Sequence, residues 1–100
     1  MKPVYLDCNS TTPLEEEVMI EMRQYMSHEY GNAGSRTHEM GATASRAVNE
    51  SRKKIADLLN AEGSDILFTS GATESNNLSI LGMEKFGLEQ NKKHIISSPA

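Results

Sequence analysis

Apolar residues recur at different spacings along this chain, and each change of spacing marks an element. Val4, Tyr5 and Leu6 form a short apolar run that predicts an extended segment, broken by the polar turn Asp7-Cys8-Asn9-Ser10. From residue 13 the spacing becomes helical. Leu14, Val18, Met22 and Met26, with Tyr25, share one side of a helix that should run to about Ser27. Thr12, Pro13 and Glu15 have the form of a capping box with proline at the first helical position. Glu16 and Glu17 then place negative charge where the helix dipole favours it. Methionines at this spacing read as core residues.

The pattern lapses over residues 30–41, "YGNAGSRTHEMG", which hold three glycines and few apolar side chains and read as a loop. Such a loop either connects elements or presents polar groups to a ligand. From Ala42 to about Asn60 the helical period returns. Ala44, Ala47, Val48, Ser51, Ile55, Leu58 and Leu59 share a face, and Arg46, Glu50, Lys53, Lys54 and Asp57 sit mostly on the other. The cluster Arg52-Lys53-Lys54 reads as a solvated face rather than a phosphate site. After the turn at 61–65, residues 66–69 read as a strand. A helix follows whose Leu78, Ile80, Leu81, Met83 and Phe86 point in several directions, as expected of a helix buried on more than one side. Gly87 should end it, and residues 94–98 look like a second strand.

This order predicts an α/β fold. A parallel sheet needs more than two strands and cover on both faces, so the sheet expected here is incomplete. Either the chain dimerises to complete it, or it is the front of something longer. The finish on a strand exit at Pro99-Ala100 favours the second.

Composition narrows the class. The net charge of −4 comes with no long run of either sign, which weighs against direct nucleic-acid binding. No run reaches the length of a membrane span, and "MKPVYLDCNS" lacks a signal-peptide core. Cys8 is the single cysteine, and no Cys/His spacing suggests a metal site. The expectation is a cytoplasmic protein without membrane or metal.

The candidate chemistry lies at "FTSGATESNN", residues 68–77, where an apolar run breaks into Thr69-Ser70-Gly71 and turns into a helix. The first N–H groups of that helix lack intrahelical partners and point outward beside the positive dipole end, which suits an anion. Gly71 would let the backbone bend and approach closely, and Thr73 and Ser75 offer hydroxyls. The pattern is neither a P-loop nor G-x-G-x-x-G. The alternative is an ordinary turn capped by Thr69 or Ser70.

Three stretches, "YLDCNSTTP", "YGNAGSRTHEMG" and "ILFTSGATESNNLSILG", occur in order and are followed by "HIISS". Together they closely resemble the N-terminal quarter of the pyridoxal-phosphate-dependent cysteine desulfurases, the NifS-like and IscS-like enzymes. The resemblance covers nearly all 100 residues. The "GNAGSRTH" loop is also somewhat similar to the desulfurases that supply sulfur for DNA phosphorothioation. What the resemblance implies is a fold-type I, aminotransferase-like large domain with pyridoxal 5'-phosphate as cofactor. Residues 1–12 would be an N-terminal extended segment and 13–100 the start of the cofactor-binding domain.

By motif position, Ala72 and Thr73 would contact the cofactor phosphate, Thr73 through both its N–H and its hydroxyl. The family works as a homodimer, takes sulfur from L-cysteine through a protein persulfide and releases L-alanine. Acceptor proteins then carry the sulfur toward iron–sulfur clusters, tRNA thiolation or DNA phosphorothioation.

The same resemblance implies a Schiff-base lysine and a nucleophilic cysteine that these residues do not supply, so the chain alone should be inactive. Cys8 lies in the N-terminal motif and is not matched to the nucleophile. None of Lys53, Lys54, Lys85, Lys92 and Lys93 matches the lysine position. His28, His38 and His94 are not matched to the histidine that stacks on the cofactor ring, although His38 belongs to the "SRTH" stretch and could shape its loop. Asp7, Asn9, Thr11 and Thr12 match a family motif and equally suit a self-satisfied turn. Three other readings stay open: a truncated non-enzymatic protein that dimerises or binds a partner desulfurase, a small phosphate-binding module, and another pyridoxal-phosphate lyase such as a selenocysteine lyase.

Overall fold

The computed structural model describes residues 3–98, so the ending Pro99-Ala100 and the first two residues lie outside the described residues. The described residues hold four α-helices: α1 (Glu16–Ser27), α2 (Glu39–Leu59), α3 (Ala72–Gly82) and α4 (Glu84–Glu89), with a 3-10 turn at Gly63–Asp65. The chain divides into two units, one ending at Asp65 and one beginning at Ile66.

In the first unit, α1 ends at Ser27 as its period predicts, but it begins at Glu16, and Glu15 at the N-cap makes no side-chain bond to the helix. The capping box expected at Thr12-Pro13-Glu15 therefore does not form. An isolated first turn fixes several dihedral angles for one hydrogen bond, and Leu14 stays exposed, so no packing offsets that cost. Upstream, the carbonyl of Asp7 accepts the N–H groups of Ser10 and Thr11, at 3.0 and 3.4 Å. The Tyr5 hydroxyl meets Thr11 Oγ1 at 2.8 Å. The "LDCNSTT" motif thus closes on itself as a turn in this chain.

Helix α2 starts three residues before the expected Ala42, because His38 caps it. Its far end is a Schellman turn. Asn60 takes the left-handed conformation (φ 52°), and the N–H of Ala61 bonds the carbonyl of Ala56 at 2.9 Å. Asparagine is the usual non-glycine residue for this position. Buried along α2 are Gly41, Ala44 and Ala56. Ala56 lies outside the face expected from the period, and α2 packs against the 3-10 turn. Lys53 pairs with Asp57 at 2.6 Å while both stay exposed, which makes this stretch of the basic cluster a solvated face.

The second unit differs more from expectation. The helix expected to run from Gly71 to Gly87 is two helices, interrupted at Met83. Gly87 lies inside α4, where a Cβ would come within 2.9 Å of the Lys92 carbonyl. It serves close approach, not termination. The stop comes at Asn91 (φ 53°), where the N–H of Lys92 reaches back to Gly87 at 2.8 Å.

No strand forms among the described residues: 66–69 and 94–98 lie outside any sheet. Two short strands without further neighbours and cover do not make a stable sheet, so the local pattern is present without the setting that would express it. The same holds for the apolar faces. Val18, Met22, Tyr25 and Met26 on α1, and Leu78, Ile80 and Leu81 on α3, are all exposed, and the only buried apolar side chains among the described residues are Ala44 and Ala56. These faces are patterned for burial that the described residues do not supply.

Candidate functional site

The strand-to-helix stretch of the second unit resolves into a specific donor arrangement. Gly71 is the N-cap of α3 and offers no side chain, so no side-chain oxygen caps this helix. The first helical bond is made by the N–H of Ser75 to the Gly71 carbonyl, at 3.1 Å. The N–H groups of Ala72, Thr73 and Glu74 precede it and have no acceptor among the described residues. The Thr73 side chain is exposed and makes no hydrogen bond there either.

The neighbouring hydroxyls are engaged elsewhere. Thr69 Oγ1 donates to the Gly71 carbonyl at 3.2 Å and lies 2.6 Å from Ser75 Oγ. Ser70 turns to Glu74: its N–H donates to Glu74 Oε2 at 2.7 Å, and its hydroxyl donates to the same oxygen at 2.5 Å.

This overturns the ordinary-cap reading, since neither Thr69 nor Ser70 satisfies a helix N–H. It also removes Ser75 from the free hydroxyls and leaves Thr73. The glycine works differently from expectation. Its φ of 160° is extended backbone, which other residues also adopt, and a Cβ there would meet nothing within 4 Å. Gly71 therefore leaves open space at the helix mouth rather than enabling a bend.

The donor set suits a phosphate: two adjacent N–H groups, a nearby hydroxyl and the positive end of an eleven-residue helix. The two hydrogen bonds from Ser70 hold the Glu74 carboxyl below its usual value of 4.5. The sign follows from that direction. A lowered folded value means the Ser70–Glu74 bonds support the turn fully above about 4.5 and are lost as pH falls through the lowered value. Amide-exchange protection at Ser70 in the intact protein should therefore hold at neutral pH and decline in acid, and Glu74→Gln should abolish that dependence. Protection at Ser70 that does not change through the acid range would contradict it.

In the first unit, His38 Nδ1 accepts the Gly41 N–H at 3.1 Å and so caps α2. This requires the tautomer with its proton on Nε2. His38 shapes its loop by this bond. Sequence reasoning missed the cap because histidine is not among the usual N-cap residues, although its acceptor nitrogen stands where an asparagine oxygen would. Replacing His38 by alanine should cost about 1 kcal/mol, and His38→Asn should restore most of it, both read from melts of the intact protein. Equal stability of the alanine variant would show that the bond is not used.

Other candidates offer less chemistry. Cys8 is exposed and free. No group of three His, Cys, Asp or Glu residues among the described residues is placed to hold a metal. No helix among them is long and apolar enough to cross a membrane. A groove of about 620 Å³ in the second unit is lined by Ile80, Leu81, Met83, Phe86, Leu88 and Ile95, among others. Lys92 lies over the Phe86 ring at 5.7 Å. Glu84, Lys92, Lys93 and His94 also line it, so the groove is mixed rather than purely apolar.

Comparison with known proteins gives this turn a context. Residues 4–100 match the family described as aminotransferase class-V. The chain is 48% identical over 95 residues to a cysteine desulfurase IscS of Rickettsia akari, covering 95% of the chain and 23% of that relative. Against the cysteine desulfurase IscS of Rickettsia bellii the identity is 50%, with 95% and 23% covered. For that of Methylobacillus flagellatus it is 44%, with 95% and 24% covered. The chain thus spans about a quarter of the length of the curated relatives it matches.

Proposed function

The chain belongs to the aminotransferase class-V family, and from that premise we propose that it is the N-terminal quarter of a pyridoxal-phosphate-dependent cysteine desulfurase. The complete protein takes sulfur from L-cysteine as a protein persulfide, releases L-alanine and passes the sulfur to acceptor proteins. One observation carries the reading: near-half identity to proteins named cysteine desulfurase extends over 95% of the chain and so spans the uncapped turn at Gly71.

In this reading the N–H groups of Ala72 and Thr73 and the Thr73 hydroxyl bind the cofactor phosphate, and the dipole of α3 favours its charge. Thr69 and Ser75 hold the turn from behind through their shared hydrogen bond. When bound, the cofactor supplies an electron-withdrawing ring that acidifies the Cα proton of L-cysteine and so prepares the C–S bond for cleavage. The lysine and the cysteine nucleophile that the reaction requires are assigned to sequence outside this chain, and Cys8 is not given that role.

The reading also includes a cytoplasmic homodimer in which 66–69 and 94–98 become strands of a fold-type I α/β sheet. The exposed apolar faces of α1 and α3 support it, because they are surfaces that such an assembly would cover. The test is direct. The full-length protein carrying this segment, loaded with cofactor, should convert L-cysteine to L-alanine and retain one sulfur as a protein persulfide. Absence of alanine from L-cysteine would contradict the desulfurase reading, and release of alanine from L-selenocysteine alone would replace it with a selenocysteine lyase.

A further inference from the structure

We propose that Ser70 is a positioning residue for the phosphate site, acting by holding the Glu74 carboxylate away from the donors of Ala72 and Thr73. The inference rests on the phosphate reading of this turn and adds to it a residue that does not itself touch the phosphate.

The turn contains an electrostatic conflict. Glu74 is the third residue of α3, and a carboxylate there lies in the zone where the helix dipole attracts negative charge. A glutamate at this position commonly reaches back to the backbone N–H of the N-cap, here Gly71, next to Ala72. If Glu74 did so, it would set a negative charge beside the donors that an incoming phosphate needs. Instead both Ser70 bonds converge on one carboxylate oxygen, from the N–H at 2.7 Å and from the hydroxyl at 2.5 Å. The carboxylate is thereby tied to the residue before the N-cap, outside the helix. The Ala72 and Thr73 N–H groups stay without an acceptor, and the Thr73 hydroxyl stays free.

Two further features agree. Gly71, between Ser70 and the helix, has no side chain that would contest the space, and a Cβ there would touch nothing. The bonds from Ser70 also favour the charged form of Glu74 by holding its carboxyl below the usual value. A charge that persists must be placed rather than neutralised. Ser70 does the placing.

A merely structural role for the same bonds predicts a different pattern of variants. If Ser70 and Glu74 simply stabilise the turn, removing either partner should weaken cofactor binding alike. If Ser70 restrains a competing charge, removing the serine hydroxyl harms binding only while the glutamate is charged.

The experiment uses the full-length protein and measures the dissociation constant of pyridoxal 5'-phosphate by its absorbance, with far-ultraviolet circular dichroism to verify folding. Ser70→Ala should weaken binding by roughly ten-fold, the scale of one hydrogen bond to a charged group. Ser70→Thr, which keeps the hydroxyl, should bind like the wild type. Glu74→Gln should bind at least as tightly as wild type, and in its background Ser70→Ala should have little further effect. Equal weakening by Ser70→Ala and Glu74→Gln would overturn the proposal in favour of a structural cap. So would unchanged binding in Ser70→Ala. Should Ser70→Ala fail to fold, Glu74→Gln decides alone, since weaker binding by that variant contradicts the competing charge. Thr73→Ala separates the two levels: weakened binding there with none in Ser70→Ala sinks only the role of Ser70, whereas unchanged binding in Thr73→Ala sinks the phosphate reading and this inference with it.

Discussion

Substituting alanine for Gly41 is expected to destabilise the intact protein by about 2–4 kcal/mol, from overpacking together with loss of a helix cap. A Cβ at Gly41 would lie 2.3 Å from the Ser35 carbonyl oxygen and 2.8 Å from the Ser35 Cβ. The first of these atoms is backbone and cannot swing aside. The loop or the first turn of α2 must therefore move. Gly41 also donates its N–H to His38 Nδ1, so the movement breaks the cap as well. The two losses share one residue and should not add fully.

Gly31 marks a second contact between this loop and the start of α2, with a Cβ that would come within 2.1 Å of the Met40 carbonyl oxygen. The loop and α2 are thus seated backbone to backbone, and a methyl group at either glycine wedges them apart. Gly63 is the control, because a Cβ there meets nothing within 4 Å, and its alanine variant should melt within about 0.5 kcal/mol of wild type. Indistinguishable melts for the Gly41 and Gly63 variants would show that the loop does not lie on α2 as described.

The second large effect is expected at Thr73. Because its hydroxyl makes no bond among the described residues, Thr73→Ala should leave the cofactor-free protein as stable as wild type. Cofactor retention should nevertheless weaken by about 1–3 kcal/mol, through loss of a hydrogen bond to a charged group. Thr73→Ser should recover most of the loss. The contrast between stability and retention makes the test informative. A destabilised cofactor-free protein would assign Thr73 a structural role, and unchanged retention would remove it from the phosphate site.

The two glycine-rich stretches show what sequence reasoning could and could not reach. At residues 30–41 the glycines marked a loop. That Gly31 and Gly41 meet Met40 and Ser35 depends on how the loop folds back, which spacing does not encode. At Gly71 the opposite happened. Glycine suggested a sharp bend, whereas the backbone is extended and the open space is the feature that matters.

Helix periods located α1 and α2 well, and the end of α1 fell at Ser27 as expected. Their starts were less legible, because a capping box at Thr12 needs packing that Leu14 does not receive here and because a histidine acts as the cap of α2. Residues 66–69 and 94–98 carry a strand pattern, but a strand is a property of its neighbours as much as of its own residues. The break at Met83 left no clear signal in a stretch whose apolar residues point all round. Ala72 and Thr73 came from motif resemblance. The structure leaves their N–H groups without acceptors among the described residues, and the engagement of Ser75 by Thr69 was not legible in the sequence.

The measurement that bears most directly on the central claim is a crystal structure of the full-length protein with pyridoxal 5'-phosphate bound. That structure should show phosphate oxygens at about 3 Å from the Ala72 nitrogen, the Thr73 nitrogen and Thr73 Oγ1. A phosphate held elsewhere, with those three donors turned to solvent, would contradict that claim.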